Sequence, residues 1–175
     1  MKSFVLWIVA GLVALPVHAD DTPYTGQEKR EIKALAPERV EGLLAGAGLG
    51  YAKAAELNGW PGPLHAVELA DALALSEDQL AKIAAVRQSM LTKAKPLGEK
   101  LVDAEAVLDT LFAKGEPDPI SVADASALIG AIEAALRAVH LTAHIATKPL
   151  LTRHQRMLYA RHRGYEGDHS QHGAH

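Results

Sequence analysis

From residue 76 onward, apolar side chains fall at Leu80, Ile83, Val86, Met90, Ala94, Leu97, Leu101, Ala104, Leu108 and Leu111. Every step is three or four residues, the spacing of a helix with a single apolar seam. The pattern predicts one long helix, kinked at Pro96 because proline brings no amide to the hydrogen-bond ladder. "KGEPDP" at 114–119 reads as a turn. A second long helix is predicted over about 122–147, with Ile132, Val139, Ala143 and Ala146 on one stripe. Two long helices joined by a tight turn predict an antiparallel hairpin.

Shorter helical patterns flank this pair. Pro37 suits a first helical position, but Gly46, Gly48 and Gly50 alternate in the stretch that follows. Those glycines either admit a close neighbouring backbone or break the helix. "NGWPGP" at 58–63 is a firm stop. A short helix is predicted over about 64–73 and a last one over about 152–162. No useful strand alternation is present. The fold class is therefore all-α: a long antiparallel helical hairpin with shorter flanking helices.

The chain opens "MKSFVLWIVAGLVALPVHADD". One basic residue, an apolar run, a breaking proline and small residues before Asp20 have the form of a cleavable export signal, residues 1–19. Removing it removes one basic residue, Lys2, and leaves 17 basic against 21 acidic residues. The remaining chain divides into a flexible leader (20–35), a helical domain (36–165) and a disordered His-rich tail (166–175). An acidic balance disfavours nucleic acid and anionic membranes as partners. The chain has no cysteine, so in an oxidising compartment packing or association, not disulfides, must stabilise it. No segment after the signal reads as membrane-spanning, so the mature chain is expected to be soluble.

Two helix starts look alike, "LSEDQ" at 75–79 and "LTRHQ" at 151–155. Each places Gln three residues after Ser or Thr, the signature of a capping box. Paired motifs of this kind, Leu75-Ser76…Gln79 and Leu151-Thr152…Gln155, behind a signal peptide and without cysteine, resemble the Spy/CpxP family of periplasmic LTxxQ stress proteins, with its ZraP and CnrX metal-responsive branches. Ser76 stands where the motif has Thr. The stretches "AAELNGWPGPLH" and "VHLTAHIATKPLLTRHQ" are similar to the metal-sensor side of the family. The resemblance covers roughly residues 42–165. It implies a helical hairpin that forms a cradle-like homodimer in the periplasm. It also implies ATP-independent chaperoning of unfolded periplasmic proteins, or metal-dependent control of the periplasmic domain of a membrane signalling protein. The chaperones of that family have a basic cradle, whereas this chain is net acidic. Lys82, Arg87, Lys93, Lys95 and Lys100 form either a local basic face or a solvated one.

His140 and His144 are spaced i, i+4 and share one side of the second long helix, as a divalent metal requires. Glu133 lies two turns earlier on the same stripe. His65 and His154 could approach if the chain folds back, or a two-fold axis could pair two such histidine sets. The opposing reading is that both histidines sit on the flank of the Val139/Ala143 seam, partly exposed. His169, His172 and His175 give the tail metal-binding character of their own. The ions that suit such a set are Zn2+, Ni2+, Co2+ or Cu2+. No nucleophile motif, phosphate loop or carboxylate pair marks an enzyme, and no organic cofactor is indicated. Three readings remain at this level: a metal-modulated chaperone or adaptor, a heavy-metal sensor acting on a membrane signalling partner, and a plain structural dimer.

Overall fold

In the computed structural model, residues 23–115 and 117–165 are described. The expected signal peptide and the His-rich tail lie outside them. Six α-helices follow in order: α1 Pro37–Ala45, α2 Lys53–Glu56, α3 Pro63–Glu68, α4 Glu77–Ala113, α5 Pro119–Thr147 and α6 Arg153–His162. Single 3-10 turns cover Gln27–Lys29 and Lys148–Leu150. Among the described residues there is no strand, and the architecture is a long helix pair, α4 and α5, with shorter helices around it.

Both capping boxes form. Ser76 Oγ accepts from the Gln79 amide at 3.2 Å, and Gln79 Oε1 accepts from the Ser76 amide at 3.1 Å. Thr152 and Gln155 repeat this at 3.2 and 2.9 Å. The two boxes are also joined. Gln79 Nε2 donates to Gln155 Oε1 at 2.9 Å, and Gln155 Nε2 donates to Gln79 Oε1 at 3.0 Å. Gln79 Nε2 also donates to the Leu150 carbonyl at 2.8 Å. The repeated motif is thus one clasp holding the starts of α4 and α6 together. The second long helix starts earlier than its apolar stripe, at Pro119. Asp118 caps it by accepting from the Ile120 and Ser121 amides, each at 3.0 Å, and Pro119 takes the first-turn position where no amide is needed.

The glycine-rich stretch breaks the first helix. Gly46 closes α1 in the left-handed region at φ 71°, and its amide and that of Ala47 return to the Leu43 and Gly42 carbonyls. The close approach that glycine permits occurs elsewhere, at Gly98. A Cβ there would lie 2.1 Å from the Leu43 carbonyl oxygen, so α1 crosses α4 backbone to backbone. Pro96, two residues earlier, lies inside a helix unbroken from Glu77 to Ala113, on its exposed side.

Two apolar clusters form the core. One gathers Leu43, Tyr51, Ala94, Leu101, Ile132 and Leu136. Ile32 and Leu35 also belong to it, although they fall within the span read as a flexible leader; Lys33 fixes that span to α4 through Asp109, by its amide at 3.0 Å and its ammonium at 3.2 Å. The other cluster holds Ala66, Leu73, Ile83, Leu151 and Tyr159 beside the clasp.

By length and composition alone, the helical stretch Pro119–Leu150 could cross a membrane: it has 32 residues, its most apolar window has a mean hydropathy of 1.4, and only 11% of that window is buried. The stretch nevertheless carries Glu133 and Arg137 at mid-length and lies against α4, where Lys93, Lys95, Glu99 and Lys100 are exposed. Charges at bilayer depth cost roughly 2.5–3.5 kcal/mol each by insertion scales. The apolar surface therefore suits a protein partner better than lipid. It includes the exposed Val107, Phe112, Ile120 and Leu128 and two open grooves between α4 and α5, of about 460 and 600 Å3.

Candidate functional site

His140 and His144 are buried, at 3% and 8% exposure. The buried line of α5 runs Ile132, Leu136, His140, Ala143, His144 and Thr147, so the histidines stand on it and not on its flank. The helix contacts α2 and α3 as well as α4, which widens its buried sector to include both rings.

The 58–63 turn fixes His144. Its Nδ1 lies 2.7 Å from the Trp60 carbonyl. A carbonyl only accepts, so Nδ1 carries the hydrogen. Gly62 lies against the same ring; a Cβ there would meet His144 Cε1 at 2.8 Å and Nε2 at 2.9 Å. The Lys148 ammonium sits 3.7 Å from the centre of the Trp60 ring and braces the turn from its other side. His140 stacks on Tyr51, with ring centroids 5.8 Å apart and planes 11° from parallel. Burial, and then the neighbouring His144, hold its pKa below the ordinary histidine range. His140 is therefore neutral at pH 7, yet its buried Nε2 has no hydrogen-bond partner.

The third member is Glu56, at the end of α2. Its Oε1 accepts from Tyr159 Oη at 2.7 Å, Tyr165 Oη at 3.1 Å and Arg163 Nε at 3.2 Å. Tyr159 in turn accepts from the Gly62 amide at 3.1 Å. Burial, and then the bond to Glu56, push the Tyr159 phenol well above its usual range, so it remains a donor. Glu56 Oε2 is buried without a hydrogen-bond partner, 3.6 Å from His144 Nδ1. Glu56, Gly62, His65, His140, His144 and Arg163 line one cavity of about 490 Å3. A buried unpaired polar atom costs roughly 1–3 kcal/mol, and Glu56 and His140 on this cavity wall each carry one. Neutral imidazole with carboxylate is a donor set that suits zinc, nickel, cobalt or copper(II). Among the described residues, no three His, Asp or Glu side chains are grouped closely enough to hold an ion unaided.

The other candidate residues are dispersed. His65, on α3, reaches the cavity wall and pairs with Glu68 at 2.8 Å. Glu133 is committed to Arg39 and to the Tyr51 hydroxyl, each at 3.0 Å. Burial, and then that bond, push the Tyr51 hydroxyl up to about 12. Glu133 thus steadies the ring on which His140 stacks. His154 is exposed on α6. His169, His172 and His175 lie outside the described residues. Glu56 escaped the sequence reading because a lone Glu before a Pro-Gly turn has no spacing to mark it; only the fold sets it opposite the histidines. No protein-family model, curated protein or solved structure matches the chain.

Proposed function

We propose that this chain is an exported helical stress protein of the Spy/CpxP type, an ATP-independent chaperone or adaptor whose state is set by a divalent metal at Glu56, His140 and His144. The observation that carries the reading is the pair of buried, partnerless polar atoms, His140 Nε2 and Glu56 Oε2, on residues of one cavity wall. Such a metal would be a structural tie between α2 and α5, supplying charge where the fold leaves polar atoms unpaired. Nothing about the site calls for turnover, and the reading is not enzymatic.

The chaperone half of the proposal draws on the exposed apolar surface of α4 and α5. In this reading the long pair is an antiparallel hairpin, two copies associate into a cradle in the periplasm, and unfolded chains bind its apolar lining. Met90 lines both the metal cavity and the adjoining groove, which gives the metal a physical route to the binding face. A heavy-metal sensor acting on a membrane signalling protein would use the same site and the same wall, with the signalling domain in place of a client.

The test is titration of the exported form (residues 20–175) with zinc, nickel and cobalt, beside His140→Ala/His144→Ala and Glu56→Gln variants. Binding that weakens at least about tenfold in each variant, the scale of removing a ligand or its support, upholds the metal reading; unchanged binding removes it. Suppression of client aggregation with and without metal then separates the chaperone from the sensor.

A further inference from the structure

We propose that the cavity binds a small organic carboxylate, its charge held by Arg87, Lys53 and the 46–50 loop and its apolar body lying against Leu64, Met90 and Leu91. Such a site uses other residues of the cavity than the proposed metal centre and requires no metal. The cavity measures about 490 Å3, within the range of clefts that hold small molecules. A bare ion beside Glu56 and the two histidines would leave almost all of that space to water.

The charge of the lining favours an anion. Arg87 from α4, Lys53 from α2 and Arg163 just past α6 face one carboxylate, Glu56. Arg163 is committed to that carboxylate at 3.2 Å. The Lys53 and Arg87 side chains enter no ion pair or hydrogen bond among the described residues. Two cations are therefore left over in a cleft with apolar walls, and such a cleft concentrates ions of the opposite sign. Arg87 is half-buried, and its planar guanidinium matches the two oxygens of a carboxylate.

The loop adds donors. Residues 46–50 all line the cavity, and among the described residues the amides of Gly48, Leu49 and Gly50 donate to no backbone carbonyl. Leu49 is left-handed at φ 42° and Gly50 follows at 83°. That region strains a leucine, and the strain persists where packing enforces it. Here the Leu49 side chain fills the space beside Gly42, where a Cβ would meet Leu49 Cδ2 at 2.7 Å. Successive free amides in a tight turn make a concavity suited to an anion. Leu64, Met90 and Leu91 complete the lining, and Leu64 is exposed. A polar end with an apolar wall fits a monocarboxylate of several carbons better than phosphate.

Titration of residues 20–175 with hexanoate, in the presence of a chelator and followed by amide NMR, tests this. Hexanoate should bind saturably and shift the Gly48 and Gly50 amides most. Lys53→Gln/Arg87→Gln should weaken binding at least about tenfold, the scale of losing a hydrogen bond to a charged group. Lys93→Gln takes a charge from α4 outside the cavity and should leave binding unchanged. Circular dichroism on each variant shows that it folds. Hexanol and inorganic phosphate should each bind at least about tenfold more weakly than hexanoate, since each lacks one half of the ligand.

Hexanol bound as tightly as hexanoate means that the cavity selects an apolar body alone. Phosphate bound as tightly means that it selects charge alone. An equal loss in Lys93→Gln means net charge and not a site. Absence of saturation, or shifts centred away from the loop and α4, means that the cavity does not take the ligand. Each of these overturns the inference, and with metal excluded each leaves the proposed metal site untouched. Failure of the zinc titration, in turn, leaves the carboxylate site standing.

Discussion

Gly98 and Gly130 are glycines in long helices with opposite surroundings. At Gly98 a Cβ would meet the Leu43 carbonyl oxygen at 2.1 Å; at Gly130 nothing lies within 4 Å. Gly98→Ala must push α1 off α4 and is expected to cost about 3 kcal/mol, the upper range for overpacking. Gly130→Ala should stabilise by about 1 kcal/mol, the helix propensity difference. Urea midpoints of the two variants check both signs. Gly62→Ala is a functional counterpart: its Cβ collides with the His144 ring. Under the proposed metal reading, it should weaken zinc binding about tenfold or more, the scale of disturbing a ligand's support, while helical content is kept. These roles were not legible in the sequence. A glycine at position 98 reads only as a weak helix residue until the fold brings another backbone against it. Glu56 is the same case for charge.

At the scale of elements, legibility follows from whether the cause is local. Both capping boxes and the α4 seam were readable because each depends on residues three or four apart. That Gln79 and Gln155 also hold each other was not, because they are 76 residues apart and only packing brings them together. Each Gln→Ala change removes a cap bond and both bonds of the reciprocal pair, for an expected ~1–2 kcal/mol. The double variant should cost less than the sum, and a double-mutant cycle by urea unfolding measures the difference. The start of α5 carries a pH signature. The Ser121 hydroxyl, with the Ser121 and Ile120 amides, holds the Asp118 carboxyl below the usual range. Its stabilising contribution is present above the unfolded value of about 3.9 and lost as pH falls through the lower folded one. Asp118→Asn should flatten that acid loss in melts run between about pH 2 and 5.

For the whole molecule, the long helix pair was legible in the apolar pattern, whereas the apolar surface that α5 leaves uncovered was not. The seam pattern counts residues facing one partner helix and says nothing of the surface beyond it. If that surface seats a second copy, Leu128→Glu should shift the chain to monomer in sedimentation velocity, with its melting temperature in the monomeric range unchanged. The clasp has a mechanical meaning as well. It joins the starts of α4 and α6, while the far half of α4 is tied to the 32–35 segment through Lys33 and Asp109. A helix of 37 residues is about 55 Å long at 1.5 Å per residue. Turned by about 5° at its gripped end, it carries its far tip through about 5 Å by that same length. A small tilt at the two glutamines would therefore be felt as strain at Lys33 and Asp109, some 30 residues along the same helix, and the molecule would work as a lever held at both ends.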